Sequence, residues 1–170
     1  MGLRGSQRRT DGIARCISMN LPNKRHDKFS DMTFRIEWRL EESEGLAQES
    51  LLGDIKLHDK EHCINECSVY IDSWLDALIR GAESTKANEE TKIEIPEESH
   101  PIILYCKQDG RIAASFRGQA VNADSLSEFI SELRCASTAF LEKIKALKEL
   151  EQNTMVRSIR EFLERSDANT

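Results

Sequence analysis

Long apolar runs are missing from this chain of 170 residues. No stretch approaches the roughly 20 apolar residues that a helix needs to cross a bilayer. No charged segment followed by an apolar segment marks a secretory signal either. We therefore expect a cytoplasmic protein without a membrane partner, whose length suits one domain with a hydrophobic core.

The motifs of common enzymes are missing as well. The chain contains no glycine-rich phosphate loop, no nucleophile elbow and no helix with paired metal-binding histidines. Each of these would have placed a reactive or ligand-binding group at a known position of a fold. We therefore predict that the protein is not an enzyme and uses no cofactor.

Cysteine is present five times, an odd number, and this favours reduced thiols over a disulfide framework. Cys106 and Cys135 lie in apolar patterns, and we expect both to act as small core residues. The remaining question is the stretch LHDKEHCINEC, because it brings two cysteines close to two histidines.

Four potential metal ligands fall within this stretch: His58, His62, Cys63 and Cys67. A strand would turn the histidines to one face and the cysteines to the other, and a helix would keep each pair on a separate face. Zinc needs its ligands in one tetrahedron, so we predict no metal site. We expect exposed histidines in a turn, and Cys67 or both cysteines under a helix that begins near Ser68. A metal-binding or thiol-dependent protein centred on residues 58–67 is the alternative.

Charge is distributed unevenly along the chain, whose net charge is −6. Residues 1–29 carry seven basic and two acidic residues, residues 30–100 carry seven basic and eighteen acidic residues, and residues 101–170 carry ten of each. An acidic middle repels nucleic acid and anionic membranes. It favours a basic protein partner.

The first 31 residues show no periodicity and few apolar side chains. We interpret residues 1–31 as a flexible basic arm and residues 32–166 as a single α+β domain. Strict alternation in TFRIEWRLEES predicts a strand with one buried face, and LLGDIKLHD alternates more weakly. The segment SVYIDSWLDALIRG changes to helical spacing, with Arg80 in the last turn and Gly81 as the stop.

The second half of the chain adds strands and then helices. TKIEIPEES predicts a short strand, and Asp109-Gly110 between two apolar runs predicts a hairpin. Ser125 and Glu128 form a capping-box pattern ahead of a long helix. The segment MVRSIREFLER either extends this helix or forms a second one after a break near residues 153–154. We therefore expect an antiparallel sheet of about five strands, packed against a short helix and a long C-terminal helix or helix pair.

Acidic residues provide the candidate partner-binding set. The set is Glu41, Glu42, Glu44, Asp72, Asp76, Glu89, Glu90, Glu97 and Glu98. One interpretation is an acidic face that binds a basic partner; the other is an ordinary solvated surface, with Asp76 and Arg80 as a weak helical ion pair. Trp38 and Trp74 lie on apolar faces and are expected in the core.

The segments YIDSWLDALIRG and IEIPEESHPIILY, the Asp-Gly hairpin and the long terminal helix resemble a type of small bacterial α+β protein. Some proteins of this type are immunity proteins of toxin systems. The resemblance covers about residues 32–150 and rests on two structural motifs, Asp72-Ser73-Trp74-Leu75 and Ile95-Pro96-Glu97-Glu98. It implies an α+β fold and a toxin as partner, and it carries no functional residue over to this chain. A non-catalytic regulatory subunit is a further alternative, and the sequence leaves the oligomeric state open.

Overall fold

The computed structural model describes residues 34–41 and 51–167. The expected basic arm, residues 1–31, lies outside this range, and so do Glu42 and Glu44 of the candidate binding set. The elements within the range are β1 Arg35–Leu40, β2 Leu52–His58, β3 Cys63–Tyr70, α1 Ile71–Ser84, β4 Glu90–Ile93, β5 Ile102–Cys106, β6 Ile112–Phe116, β7 Gln119–Ala123, α2 Leu126–Ile144, a 3₁₀ helix Lys148–Gln152 and α3 Thr154–Asp167. The α+β class is confirmed.

The strands form two antiparallel sheets rather than one sheet of about five strands. Within the described residues, the first sheet has the order β1-β2-β3 and the second has the order β4-β5-β6-β7. The sequence prediction missed β3 and β7. In β3 the buried residues Ile64 and Val69 are five positions apart, because a bulge shifts the register and Ser68 takes a positive φ of 53°. An odd spacing hides the strand from a search for alternating residues.

Helix α1 packs against strands of both sheets and against α2 and α3. Eleven of its 14 residues are buried. The prediction of a stop at Gly81 is wrong, because the helix continues to Ser84. A Cβ on Gly81 would lie 2.6 Å from Leu104 Cδ1 and 2.9 Å from Ile93 Cδ1. The glycine therefore lets the helix approach the second sheet closely.

The predicted Asp-Gly hairpin joins β5 and β6. Cys106 pairs with Ile112, and the Lys107 N–H donates to the Arg111 carbonyl at 2.8 Å. Gly110 has a φ of 84°, a conformation that glycine adopts without steric cost. This part of the sheet follows the sequence prediction because the local turn chemistry decides it.

Helix α2 begins as predicted, since the Glu128 N–H donates to Ser125 Oγ at 3.0 Å. The chain then breaks, and α3 is a separate helix. Asn153 provides its N-cap: the N–H groups of Met155 and Val156 donate to Asn153 Oδ1 at 2.8 and 3.1 Å. Of the two alternatives for the C-terminus, the helix pair is confirmed.

Helix α2 packs against β1 through aromatic and polar contacts. The rings of Phe34 and Phe129 stack at 5.1 Å, and Trp38 Nε1 donates to the Ala136 carbonyl at 3.1 Å. Trp74 is fully buried, and Trp38 is partly buried against the same core. Both tryptophans are therefore core residues, as predicted. None of the helices in the described residues is both long enough and apolar enough to cross a membrane.

Candidate functional site

Five carboxylates lie around the first half of α1. They come from β3, from α1 itself and from the loop between β4 and β5. We call them the α1 acidic cluster: Glu66, Asp72, Asp76, Glu97 and Glu98. Two arginines bind members of the cluster, Arg80 from the next turn of α1 and Arg117 from the turn between β6 and β7. Four cluster members belong to the candidate set from the sequence, and Glu66 was missed.

Arg117 bridges two members of the cluster. Its Nη1 donates to Glu66 Oε2 at 2.9 Å and its Nη2 donates to Glu98 Oε2 at 3.0 Å. Its guanidinium carbon lies 4.9 Å from the centre of the Phe116 ring. Burial raises the pKa of Glu66; the charge of Arg117 opposes this, and the charge of Glu98 adds to it. At Glu66 the effect of burial therefore outweighs the attraction of Arg117.

Asp72 is the most buried carboxylate of the cluster, with 5% of its surface exposed. Its Oδ2 accepts from Asn153 Nδ2 at 3.0 Å, whereas its Oδ1 has no partner in hydrogen-bonding geometry among the described residues. Burial raises the pKa of Asp72, and the charge of Glu97 raises it further. The bond from Asn153 and nearby backbone N–H groups oppose this effect without cancelling it.

Asp76 and Glu97 complete the cluster. Arg80 Nε donates to Asp76 Oδ2 at 2.8 Å, while Arg80 Nη2 donates to the Glu94 carbonyl at 3.0 Å. Asp72 and Asp76 are buried, so they do not lie on the solvated helix face that the sequence suggested. Glu97 is exposed; Ser73 Oγ lies 3.4 Å from its Oε2, and its φ of 68° is positive. Glu97 is thus the most solvent-exposed member of the cluster.

The cluster holds more negative charge than the arginines among the described residues compensate. Five carboxylates share two guanidinium groups, and the pKa values of Glu66 and Asp72 are both raised, first by burial and then by a neighbouring carboxylate. Groups with such perturbed pKa values concentrate at functional sites, because a fold gains no stability from them. An additional cation placed here would remove part of the repulsion.

The other candidate carboxylates lie elsewhere. Glu41 is exposed and accepts from Ser68 Oγ at 2.6 Å. Glu89 and Glu90 precede or begin β4, where Lys86 and Lys92 lie 3.9 and 3.5 Å from them. Each of these two carboxylates therefore has a lysine beside it. The structure divides the described part of the candidate set into the α1 acidic cluster and these three surface residues.

Glu66, Arg117 and Asn153 were not singled out from the sequence. Glu66 belongs to the bulged strand β3, so no alternation marked it. Arg117 and Gly118 have positive φ values of 48° and 80°, and they form the turn between β6 and β7. An Arg-Gly pair between two short strands is a weaker turn signal than Asp-Gly. The role of Asn153 depends on the packing of α3 beside α1, which no local pattern predicts.

The histidines and cysteines of residues 58–67 lie on β2, on β3 and in the turn between them. His58 is a half-buried residue of β2, paired with Cys63, so the expectation of an exposed turn residue is wrong for it. Its Nε2 lies 3.4 Å from Glu37 Oε1, whereas His62 is exposed as expected. Cys63 and Cys67 are exposed on β3, so the prediction that they pack under a helix is wrong. Cys135 is also exposed, contrary to expectation, whereas Cys106 is buried as predicted. Among the described residues, no group of three or more potential ligands could hold a metal ion.

A second carboxylate site, at Asp59, is fully hydrogen-bonded. Its Oδ1 accepts from the N–H groups of Glu61 and His62 at 2.8 and 2.7 Å, and its Oδ2 accepts from the Asn122 N–H at 2.8 Å. Burial alone would raise the pKa of Asp59, but these hydrogen bonds outweigh it and lower the pKa to about 2. The carboxylate joins the β2–β3 turn to β7, and so joins the two sheets. We call this contact the Asp59 clasp.

Comparisons with protein-family models, with curated proteins and with solved structures give no match for this chain. The interpretation of the site therefore depends on its geometry and charge.

Proposed function

We propose that this chain is a protein-interaction module of the immunity type, which binds a basic toxin domain and neutralises it. The observation that carries the proposal is the uncompensated charge of the α1 acidic cluster. Glu66 and Asp72 have raised pKa values because burial and neighbouring carboxylates disfavour their ionised forms. A basic side chain from a partner would lower both pKa values and stabilise the complex.

The surroundings of the cluster suit a protein interface. Glu97 is exposed, and Tyr70, directly before α1, has 38% of its surface exposed. Tyrosine is enriched at interfaces because its ring packs against apolar groups while its hydroxyl remains hydrated. An exposed aromatic residue two positions before Asp72 suits an interface with a partner surface that carries arginine or lysine.

Electrostatic attraction also affects the rate of binding. A surface with excess negative charge steers a basic protein into the encounter complex, and salt screens this effect over about 8–10 Å at physiological ionic strength. Fast capture is useful to an inhibitor that must act before its target does.

A toxin gene directly beside this gene would favour the proposal. Stopped-flow measurement of binding between this chain and the basic domain of such a toxin, prepared without catalytic activity, tests it. The test variant is Glu94→Gln/Glu97→Gln, which removes two exposed charges. Glu97 belongs to the cluster, and the carbonyl of Glu94 accepts from Arg80, which binds the cluster member Asp76. The control is Glu151→Gln/Glu164→Gln, which removes two exposed charges from the C-terminal part of the chain. We expect the test variant to associate about tenfold more slowly at low salt, and the difference to shrink as salt rises.

The control variant should associate within about twofold of the parent. Equal slowing by both variants would show that only net charge matters, and the cluster would lose its assigned role. Absence of binding by the parent would overturn the proposed function itself.

A further inference from the structure

Strand β4 forms one end of the second sheet, with β5 on one side. Among the described residues, no strand pairs with its other side. The outward-facing side chains of β4 are well exposed, 52% for Glu90 and 65% for Lys92. A free strand edge of this kind presents unpaired backbone N–H and C=O groups that another strand can bind.

The sequence of β4 restricts how it could pair with a copy of itself. In an antiparallel pair, residues directly opposite each other point to the same face of the sheet. The two-fold axis that relates two paired copies of β4 must therefore pass through a residue position and not between two residues. Centring on Thr91 or on Lys92 gives the longest overlap, three residues of each four-residue strand.

Charge then selects one of these two registers. Centring on Lys92 places the Lys92 side chains of the two copies opposite each other, and like charges directly opposite are unfavourable. Centring on Thr91 places Glu90 of each copy opposite Lys92 of the other copy, twice. It also places the two Thr91 side chains together, a favourable cross-strand pair. Within each chain, Glu90 and Lys92 already lie 3.5 Å apart, so the register produces an alternating group of four charges.

We propose that β4 is a self-association edge, through which two copies of this chain pair about Thr91 into one continuous sheet of eight strands. Charged side chains on an edge strand ordinarily prevent pairing. Here the two signs are placed so that one register attracts while the other repels. The α1 acidic cluster is not part of this edge, so the proposal is independent of the proposed function.

Exchange of charges tests the proposal on the full chain. Sedimentation equilibrium over a range of concentrations gives the dimer dissociation constant for the parent, for Glu90→Lys and for Lys92→Glu. Each single variant places like charges opposite each other, and we expect each to weaken self-association by about tenfold or more. The double variant Glu90→Lys/Lys92→Glu restores opposite charges and should associate like the parent.

Mixing the two single variants provides the sharpest readout. One carries two glutamates and the other two lysines at these positions, so an equimolar mixture should form a heterodimer although neither variant dimerises well alone. Pairing of opposite charges within one chain cannot explain this result, because each single variant carries only one sign of charge at these two positions. Circular dichroism of each variant confirms that it is folded.

A parent that remains monomeric at all concentrations would overturn the proposal. So would single variants that dimerise as well as the parent, or a mixture that forms no heterodimer. Binding of the edge by a strand of a different protein, without self-association, would also contradict it.

Discussion

Asp59 and Asp72 are both largely buried carboxylates, yet their surroundings affect them in opposite directions. Hydrogen bonds to Asp59 outweigh its burial and lower its pKa to about 2. Asp72 is buried beside Glu97 with one oxygen unpaired, and its pKa is raised. The first carboxylate therefore stabilises the fold in its ionised form, whereas the ionised form of the second destabilises it.

This difference separates a structural carboxylate from a candidate binding carboxylate. The Asp59 clasp gives the β2–β3 turn and β7 a shared acceptor, and its contribution is complete without any partner. The α1 acidic cluster keeps charge that folding alone does not need. Natural proteins often retain such local destabilisation where function requires it.

The largest expected effect comes from breaking the clasp. Asp59→Ala leaves the N–H groups of Glu61, His62 and Asn122 without their acceptor. We expect the free energy of unfolding to fall by about 2–4 kcal/mol, measured by urea denaturation. Glu61→Ala, an exposed neighbour in the same turn, should change it by less than about 0.5 kcal/mol. A similar small loss for Asp59→Ala would show that the clasp does not hold the sheets together.

The pH dependence of stability provides a second test of the role of Asp59. Because the pKa of Asp59 falls from 3.8 to about 2 on folding, its stabilisation is present above pH 3.8 and is lost as pH falls through about 2. The integrated effect is about 2 kcal/mol. The stability difference between the parent and Asp59→Asn should therefore shrink from neutral pH towards pH 2. A difference that stays constant with pH would contradict the assigned role of the charge.

For Asp72 we expect the change of stability with pH to have the opposite sign. The raised pKa of Asp72 favours its protonated form in the folded state, so stability is lost as pH rises through that pKa. Asp72→Asn keeps an acceptor for Asn153 without the charge. We expect it to be more stable than the parent at pH 7 by about 1 kcal/mol, with no advantage below pH 3.8. Thermal unfolding at both pH values measures this, and a destabilised variant at pH 7 would refute it.

The sequence predicts the parts of the fold that depend on local chemistry. The Asp109-Gly110 hairpin, the Ser125 cap of α2 and the alternation of β1 were all found from neighbouring residues. Strand β3 was missed because its bulge at Ser68 breaks the alternation. The end of α1 was predicted too early, because Gly81 is required by close packing against the second sheet and not by helix termination.

The candidate site was predicted only in part. Charge counting identified four of the five cluster members. It could not separate them from Glu89 and Glu90, which have lysine neighbours in the same short segment. It also could not show that Asp72 and Asp76 are buried. Burial raises the pKa of Asp72, and the residues that surround it, Asn153 before α3 and Glu97 in the β4–β5 loop, are distant in sequence.

We infer that burial of Asp72, with a smaller effect of the nearby Glu97 charge, reduces the stability of the free protein at neutral pH and that a basic partner would relieve this cost. The most direct measurement compares the melting temperatures of the parent and of Asp72→Asn/Glu97→Gln at pH 7, each with and without the basic partner that we propose. We predict that the variant melts a few degrees higher alone and gains less from the partner than the parent does. A variant that melts lower alone, or that gains as much from the partner as the parent, would contradict the account.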